Sequence, residues 1–90
     1  MSLKRTMQIV NVRGLHARAS RKLAELVLSY ECKVTVRREE DEADARSLMD
    51  LMMLGAGQGS EIEVEADGPL AAEALDAIAA LVASKFDEDE

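Results

Sequence analysis

The apolar residues of this chain change their period repeatedly, and most of the changes fall at a glycine or a polar cluster. Thr6–Val12 sets Met7 and Ile9 against Thr6 and Gln8, a two-residue repeat that predicts a strand. Arg13-Gly14-Leu15 breaks it. From about His16 to about Tyr30 the period becomes helical: Ala19, Leu23, Leu26, Val27 and Tyr30 share a face, with Arg18, Arg21, Lys22, Glu25 and Ser29 opposite. Cys32–Arg37 alternates again, placing Cys32, Val34 and Val36 on one side. Arg38–Asp44 carries five acids in seven residues and is read either as a loop or as an edge strand whose charge discourages foreign pairing. Ser47–Leu54 starts on a good N-cap residue and stops at Gly55, which predicts one or two helical turns. Glu61–Ala66 is an alternating strand with Ile62, Val64 and Ala66 inward. Gly68-Pro69 opens a last helix, with Pro69 expected at its first position and Leu75, Ile78, Ala79, Val82 and Phe86 as its inward stripe.

The order is therefore β-α-β-(β)-α-β-α over ninety residues, enough for one domain spanning 1–90, with no repeat and no linker. Helices between strands on so short a chain predict an α+β fold, one antiparallel or mixed sheet with helices packed on one face. The Met7/Ile9, Val34/Val36 and Ile62/Val64/Ala66 faces would close one side of the core, and the stripes of the first and last helices the other.

Charge narrows the function. Eleven basic residues against 18 acidic ones leave a net of −7, which argues against non-specific nucleic-acid binding. Tyr30 and Phe86 are the only aromatics, too few for a stacking platform. The lone Cys32 cannot form an internal disulfide, and one Cys with one His cannot build a structural zinc site, so no metal or cofactor is expected. The first residues contain no long apolar run, so neither a signal peptide nor membrane insertion is expected, and the cytoplasm is the default compartment. The charges are also segregated. Residues 1–24 carry six basic side chains and no acid, whereas the remaining 66 carry five basic and 18 acidic ones. Such asymmetry suits different faces meeting different surroundings, although a small domain can also solvate its faces this way.

The one histidine lies in the positive third, within Gly14-Leu15-His16-Ala17-Arg18. The first N–H groups of a helix have no internal partner, and with the macrodipole they favour an anion. The same positive end disfavours imidazolium, so a neutral, nucleophilic ring is expected at His16. A phosphoryl group taken up there would add negative charge at the helix start, where Arg18 could offer its fork of donors. The plainer alternative is that His16 merely caps the helix and Arg18 is a solvated surface charge.

Two further segments stand out. In Ser47–Leu54, Leu51 and Leu54 lie on one side, while Leu48, Met49 and Met52 cluster on another with Met53 nearby. So short a helix cannot bury both sides, which predicts an exposed, methionine-rich patch able to adapt to a partner. Gly55, Gly57 and Gly59 follow a helix and lead into a strand, the reverse of a phosphate-binding loop, and are read as a flexible connection.

Gly14-Leu15-His16-Ala17-Arg18-Ala19-Ser20 resembles the phosphorylation-site motif of HPr, the histidine-containing phosphocarrier family of the phosphoenolpyruvate-dependent phosphotransferase system. Ser47–Leu54 resembles that family's regulatory-serine signature, and the spacing, element order and length agree over essentially the whole chain. The resemblance implies a two-layer open-faced sandwich, a four-stranded antiparallel sheet with three helices on one face. It implies that His16 accepts a phosphoryl group from enzyme I through Nδ1 and passes it to an enzyme IIA-type domain, with Arg18 stabilising the phosphate. It further implies that Ser47 matches the serine modified by HPr kinase, that Leu48, Met49 and Met52 form a docking surface flanked by Ala17, Arg18 and Arg21, and that the protein is a monomeric relay without turnover of its own.

Three departures from the family pattern are visible. Ala19 stands where the family has proline, the acidic Glu39–Asp44 stretch replaces a plainer third strand, and Phe86–Glu90, with its acidic tail 87–90, reads as a minor addition. The competing function is a regulatory binding module that works by docking through Leu48, Met49 and Met52 under control of Ser47. Such a module would need neither His16 nor Arg18.

Overall fold

The computed structural model describes residues 2–88. The elements are β1 (Ser2–Gln8), α1 (Ala17–Leu28), β2 (Lys33–Arg38), β3 (Asp41–Asp44), α2 (Leu48–Met53), β4 (Glu61–Asp67) and α3 (Ala71–Ala83), followed by a 3-10 turn at Lys85–Asp87. The four strands form one antiparallel sheet in the order β1-β4-β2-β3. The helices cover one face of it, with α3 against β1 and β4 and α1 against both α2 and α3.

Register explains which side chains enter the core. Val36 stands opposite Val64 and Val34 opposite Ala66, while Met7 stands opposite Ile62. All six are buried with Ile9, and they meet Leu23 and Val27 of α1 and Leu75, Ile78 and Val82 of α3. The inward faces predicted by the two-residue alternation are therefore the observed ones. The other face of the sheet is polar, and Arg37 is its hub, pairing with Glu42 at 2.8 Å, Glu65 at 2.8 Å and Glu63 at 3.3 Å. Opposite charges on neighbouring strands of an open face reinforce the pairing. The acidic Arg38–Asp44 stretch divides: Arg38 ends β2, Glu39 and Glu40 form the turn, and Asp41–Asp44 is a short edge strand, so each of the two sequence readings holds for part of it.

Three boundaries differ from expectation. The first strand is Ser2–Gln8 rather than Thr6–Val12. Its early half holds one apolar residue, the exposed Leu3, and so shows no apolar alternation; β1 is an edge strand defined by its pairing with β4, and Arg5 reaches Asp76 of α3 at 2.9 Å instead of entering the core. Pro69 is not the first residue of α3. The helix begins at Ala71 after the cap position Leu70, so Gly68-Pro69 forms the turn before it. The stretch after α3 is not an appendage either: Phe86 is fully buried, and the acidic residues after it begin by folding back on the molecule. Asp89 and Glu90 of the predicted acidic tail lie outside the described residues. Among the described residues, no helix is long and apolar enough to cross a membrane.

Candidate functional site

The site is built on the turn between β1 and α1. Asn11 accepts a hydrogen bond from the Gly14 N–H at 3.2 Å, and Gly14 adopts φ +64°, a left-handed conformation that L side chains rarely take. Leu15 is buried and donates its N–H to the carbonyl of Ala56 at 2.9 Å. The Gly55–Gly59 connection is thus pinned rather than flexible, since the Gly59 N–H also donates to the Ile9 carbonyl at 2.7 Å. Gly14 lies so close to it that a Cβ there would fall 2.3 Å from the Ala56 oxygen.

That turn delivers His16 as the N-cap of α1, with extended backbone (φ −74°, ψ −177°) and its carbonyl accepting from the Ser20 N–H at 2.9 Å. The helix starts at Ala17, as the sequence reading requires. His16 Nδ1 accepts from the Arg18 N–H at 3.3 Å, so it turns its lone pair toward the helix start. The side chain is 23% exposed, neither sealed in the interior nor free in solvent.

The other edge of the ring has a partner that the sequence did not disclose. His16 Nε2 lies 2.5 Å from Oε2 of Glu88. The second oxygen of Glu88 accepts from Asn11 Nδ2 at 3.0 Å, and that amide also donates to the Gly14 carbonyl at 2.9 Å. Both of those partners are pure acceptors, so the amide must present its nitrogen to them. Its Oδ1 is consequently buried with no partner among the described residues. Burial alone would raise the Glu88 carboxyl, but the hydrogen bonds from Asn11 and His16, with Arg13 adding positive charge, outweigh it and hold the group below the ordinary carboxylate range. Along the sequence, His16 has only basic charged neighbours, Arg13 and Arg18. The tertiary structure adds a carboxylate in contact with it.

Ala17, Arg18 and Arg21 are exposed on the first turns of α1. Arg18 makes no ion pair among the described residues, whereas Arg21 lies 4.0 Å from Glu25. Ser47 caps α2, its hydroxyl accepting from the Asp50 N–H at 3.2 Å. The two-sided reading of α2 is borne out: Leu51 and Leu54 are buried, while Leu48, Met49, Met52 and Met53 are exposed. Ala19, at the position where the family has proline, is buried in the first turn of α1. Cys32 is free and half-buried, and burial pushes its thiol up. Among the described residues, no group of three or more His, Cys, Asp or Glu side chains is placed to hold a metal ion.

Asn11 and Glu88 are the residues that sequence reasoning missed. Asn11 sits in a turn with no pattern around it, and Glu88 is one acid in a run of four residues that are all acidic.

These features define a class: a small open-faced sandwich that presents one half-exposed imidazole at a helix start. The family profile described as "PTS HPr component phosphorylation site" matches residues 3–84. Phosphocarrier protein HPr of Cupriavidus necator is 47% identical, over 98% of this chain and 99% of the relative. Phosphocarrier protein NPr of Escherichia coli K12 is also 47% identical, over 99% of this chain and 100% of its own length. Among solved structures, HPr-C-His from Thermoanaerobacter tengcongensis superposes with a TM-score of 0.93 at 31% identity, covering 98% of this chain and 99% of that one. The chain belongs to the HPr family of phosphocarrier proteins of the phosphotransferase system.

Proposed function

We propose that this chain acts as a single phosphocarrier domain in which His16 takes a phosphoryl group on Nδ1 from phosphorylated enzyme I and passes it to an enzyme IIA-type domain. The observation that carries this reading is the position of His16: the N-cap of α1, half-exposed, with Nδ1 aimed at the first helical N–H groups. The 3.3 Å contact from the Arg18 N–H is long, so an incoming phosphorus can displace it, and the phosphoryl oxygens then inherit the donors at the helix start. The exposed Arg18 guanidinium supplies a further donor fork for those oxygens. In-line transfer between two imidazoles asks little of the protein beyond positioning and charge stabilisation, which this arrangement supports.

Ala17, Arg21, Leu48, Met49 and Met52 form the docking surface in this reading. An exposed apolar patch beside positive charge fits an acidic partner and suits brief, fast encounters. Ser47 is the regulatory position. A phosphate on its hydroxyl, introduced by an HPr kinase, is tolerated at the start of α2 but places about two negative charges next to the docking patch.

The test is phosphorylation by enzyme I with Mg²⁺ and phosphoenolpyruvate, using donors from both the sugar-uptake and the nitrogen-regulatory branches. Intact mass should show one acid-labile phosphoryl group on the wild type and none on His16→Ala. No uptake by the wild type from any donor refutes the reading. Ser47→Asp should slow uptake while leaving the fold intact, and unchanged kinetics would remove Ser47 and the patch from the assignment.

A further inference from the structure

The structure assigns Glu88 as a positioning residue for His16: its carboxylate holds the Nε2 proton, which leaves Nδ1 as the bare, nucleophilic nitrogen and fixes the plane of the ring. The inference rests on the phosphocarrier reading and goes beyond it, because it concerns the edge of the imidazole that takes no phosphoryl group.

Geometry at both ring nitrogens supports it. Nδ1 accepts from a backbone N–H and therefore carries no proton, so the neutral ring must carry its proton on Nε2. Nε2 points at Glu88 Oε2 at 2.5 Å, a charge-assisted contact. The two contacts select the same tautomer.

The carboxylate is itself built into place. Its other oxygen is held by Asn11 Nδ2 at 3.0 Å, and the Asn11 side chain is fully buried. The Glu88 side chain is only 12% exposed. Three successive non-glycine residues, Lys85, Phe86 and Asp87, adopt left-handed φ values of 60°, 55° and 62° to bring the chain round to it. Backbone strain of that kind persists only where surrounding contacts over-determine it, and it gathers at working sites. Here the contacts are the buried Phe86 ring, the hydrogen bond from Lys22 Nζ to the Phe86 carbonyl at 2.9 Å and the Lys22–Asp87 pair at 3.8 Å. A merely solvated acidic residue needs none of these.

The chemistry balances without another reactant. The P–N bond to the donor histidine breaks and its electron pair returns to that nitrogen. The Nδ1 lone pair forms the new P–N bond, and the proton on Nε2 stays where it is. The ring becomes more cationic as the bond forms, and a carboxylate already on Nε2–H stabilises that change. When the group leaves for the acceptor, the same contact returns the ring to its starting tautomer.

The test compares wild type, Glu88→Gln and Glu88→Ala by two readouts. In the ¹⁵N-labelled, unphosphorylated protein, the Nε2 proton should be visible and slow to exchange in the wild type and lost in Glu88→Ala. In steady-state uptake from phosphorylated enzyme I, Glu88→Ala should lower kcat about ten-fold with little change in KM, the scale on which residues orienting a histidine act. Glu88→Gln keeps an acceptor but not the charge, and should fall between the two. Equal kcat in all three proteins, faster uptake by Glu88→Ala, or an Nε2 proton indifferent to Glu88 each overturns the assignment. A loss that appears only in KM does so as well, since it would mark a docking residue. If the wild type takes up no phosphoryl group, the carrier reading fails and this inference with it; if wild type and Glu88→Ala take it up alike, only this inference fails.

Discussion

The ammonium of Lys22 donates a hydrogen bond to the main-chain carbonyl of Phe86 at 2.9 Å, so the middle of α1 is fastened to a residue near the end of the chain. The Phe86 ring is fully buried below that contact, and the chain then turns back toward His16. The segment after α3 therefore closes both the core and the rim of the site.

If this is so, Phe86→Ala should destabilise the fold by about 3–5 kcal/mol, the usual result of truncating a buried phenylalanine. Urea unfolding measures it. A change within about 0.5 kcal/mol would be the result for a dispensable tail.

Acid should loosen this segment. The Glu88 carboxyl is held below its ordinary 4.5, so it stabilises the docked segment fully above that pH, and the contribution is lost as the pH falls through the depressed value. The charged and titratable groups facing Glu88 are His16 and Arg13, with the Lys22–Asp87 pair at the back of the turn. Hydrogen exchange at the Glu88 amide, which donates to the Lys85 carbonyl, should show protection declining at acid pH in the wild type and a flatter profile in Glu88→Gln. Identical profiles would show that the carboxylate does not anchor the segment.

Gly14 and Gly55 share φ +64° but differ in surroundings, which separates backbone strain from collision. A Cβ on Gly14 meets the Ala56 oxygen at 2.3 Å and the Gly57 Cα at 2.7 Å, both main-chain atoms that cannot swing aside, whereas a Cβ on Gly55 meets nothing within 4 Å. Gly55→Ala should cost about 1–2 kcal/mol, the left-handed penalty alone. Gly14→Ala should cost roughly 1–3 kcal/mol more from overpacking and should also depress phosphoryl uptake, because His16 is carried by that turn. Equal unfolding midpoints for the two variants would refute the close approach.

The two sides of α2 should answer different assays. Leu51 is 0% exposed, so Leu51→Ala should cost about 2–5 kcal/mol of stability. Met49 is 69% exposed, so Met49→Glu should leave stability within about 0.5 kcal/mol and raise KM for enzyme I instead. Met49→Glu with unchanged kinetics would take α2 out of the proposed docking surface.

Local pattern settled a large share of this protein. The alternation in Val34–Val36 and Ile62–Ala66 marked the buried face of the sheet, and the switch to helical spacing at His16 placed the ring at a helix start. Eight residues with two apolar sides implied that α2 exposes one of them. Each of these depends on neighbours a few positions apart, whose geometry follows from the repeat of a strand or a helix. The edge strand at Ser2–Gln8 escaped that reading, because pairing with β4 rather than its own periodicity defines it. So did the collision space around Gly14, which belongs to a loop more than forty positions on. The acidic partner of His16 was the least legible, since Glu88 is 72 positions away and Asn11 is 77 from Glu88. One acid among several neighbouring acids carries no mark of which one will be ordered. Only packing of Phe86 and the left-handed turn around it singles out Glu88, and packing is a property of the folded chain.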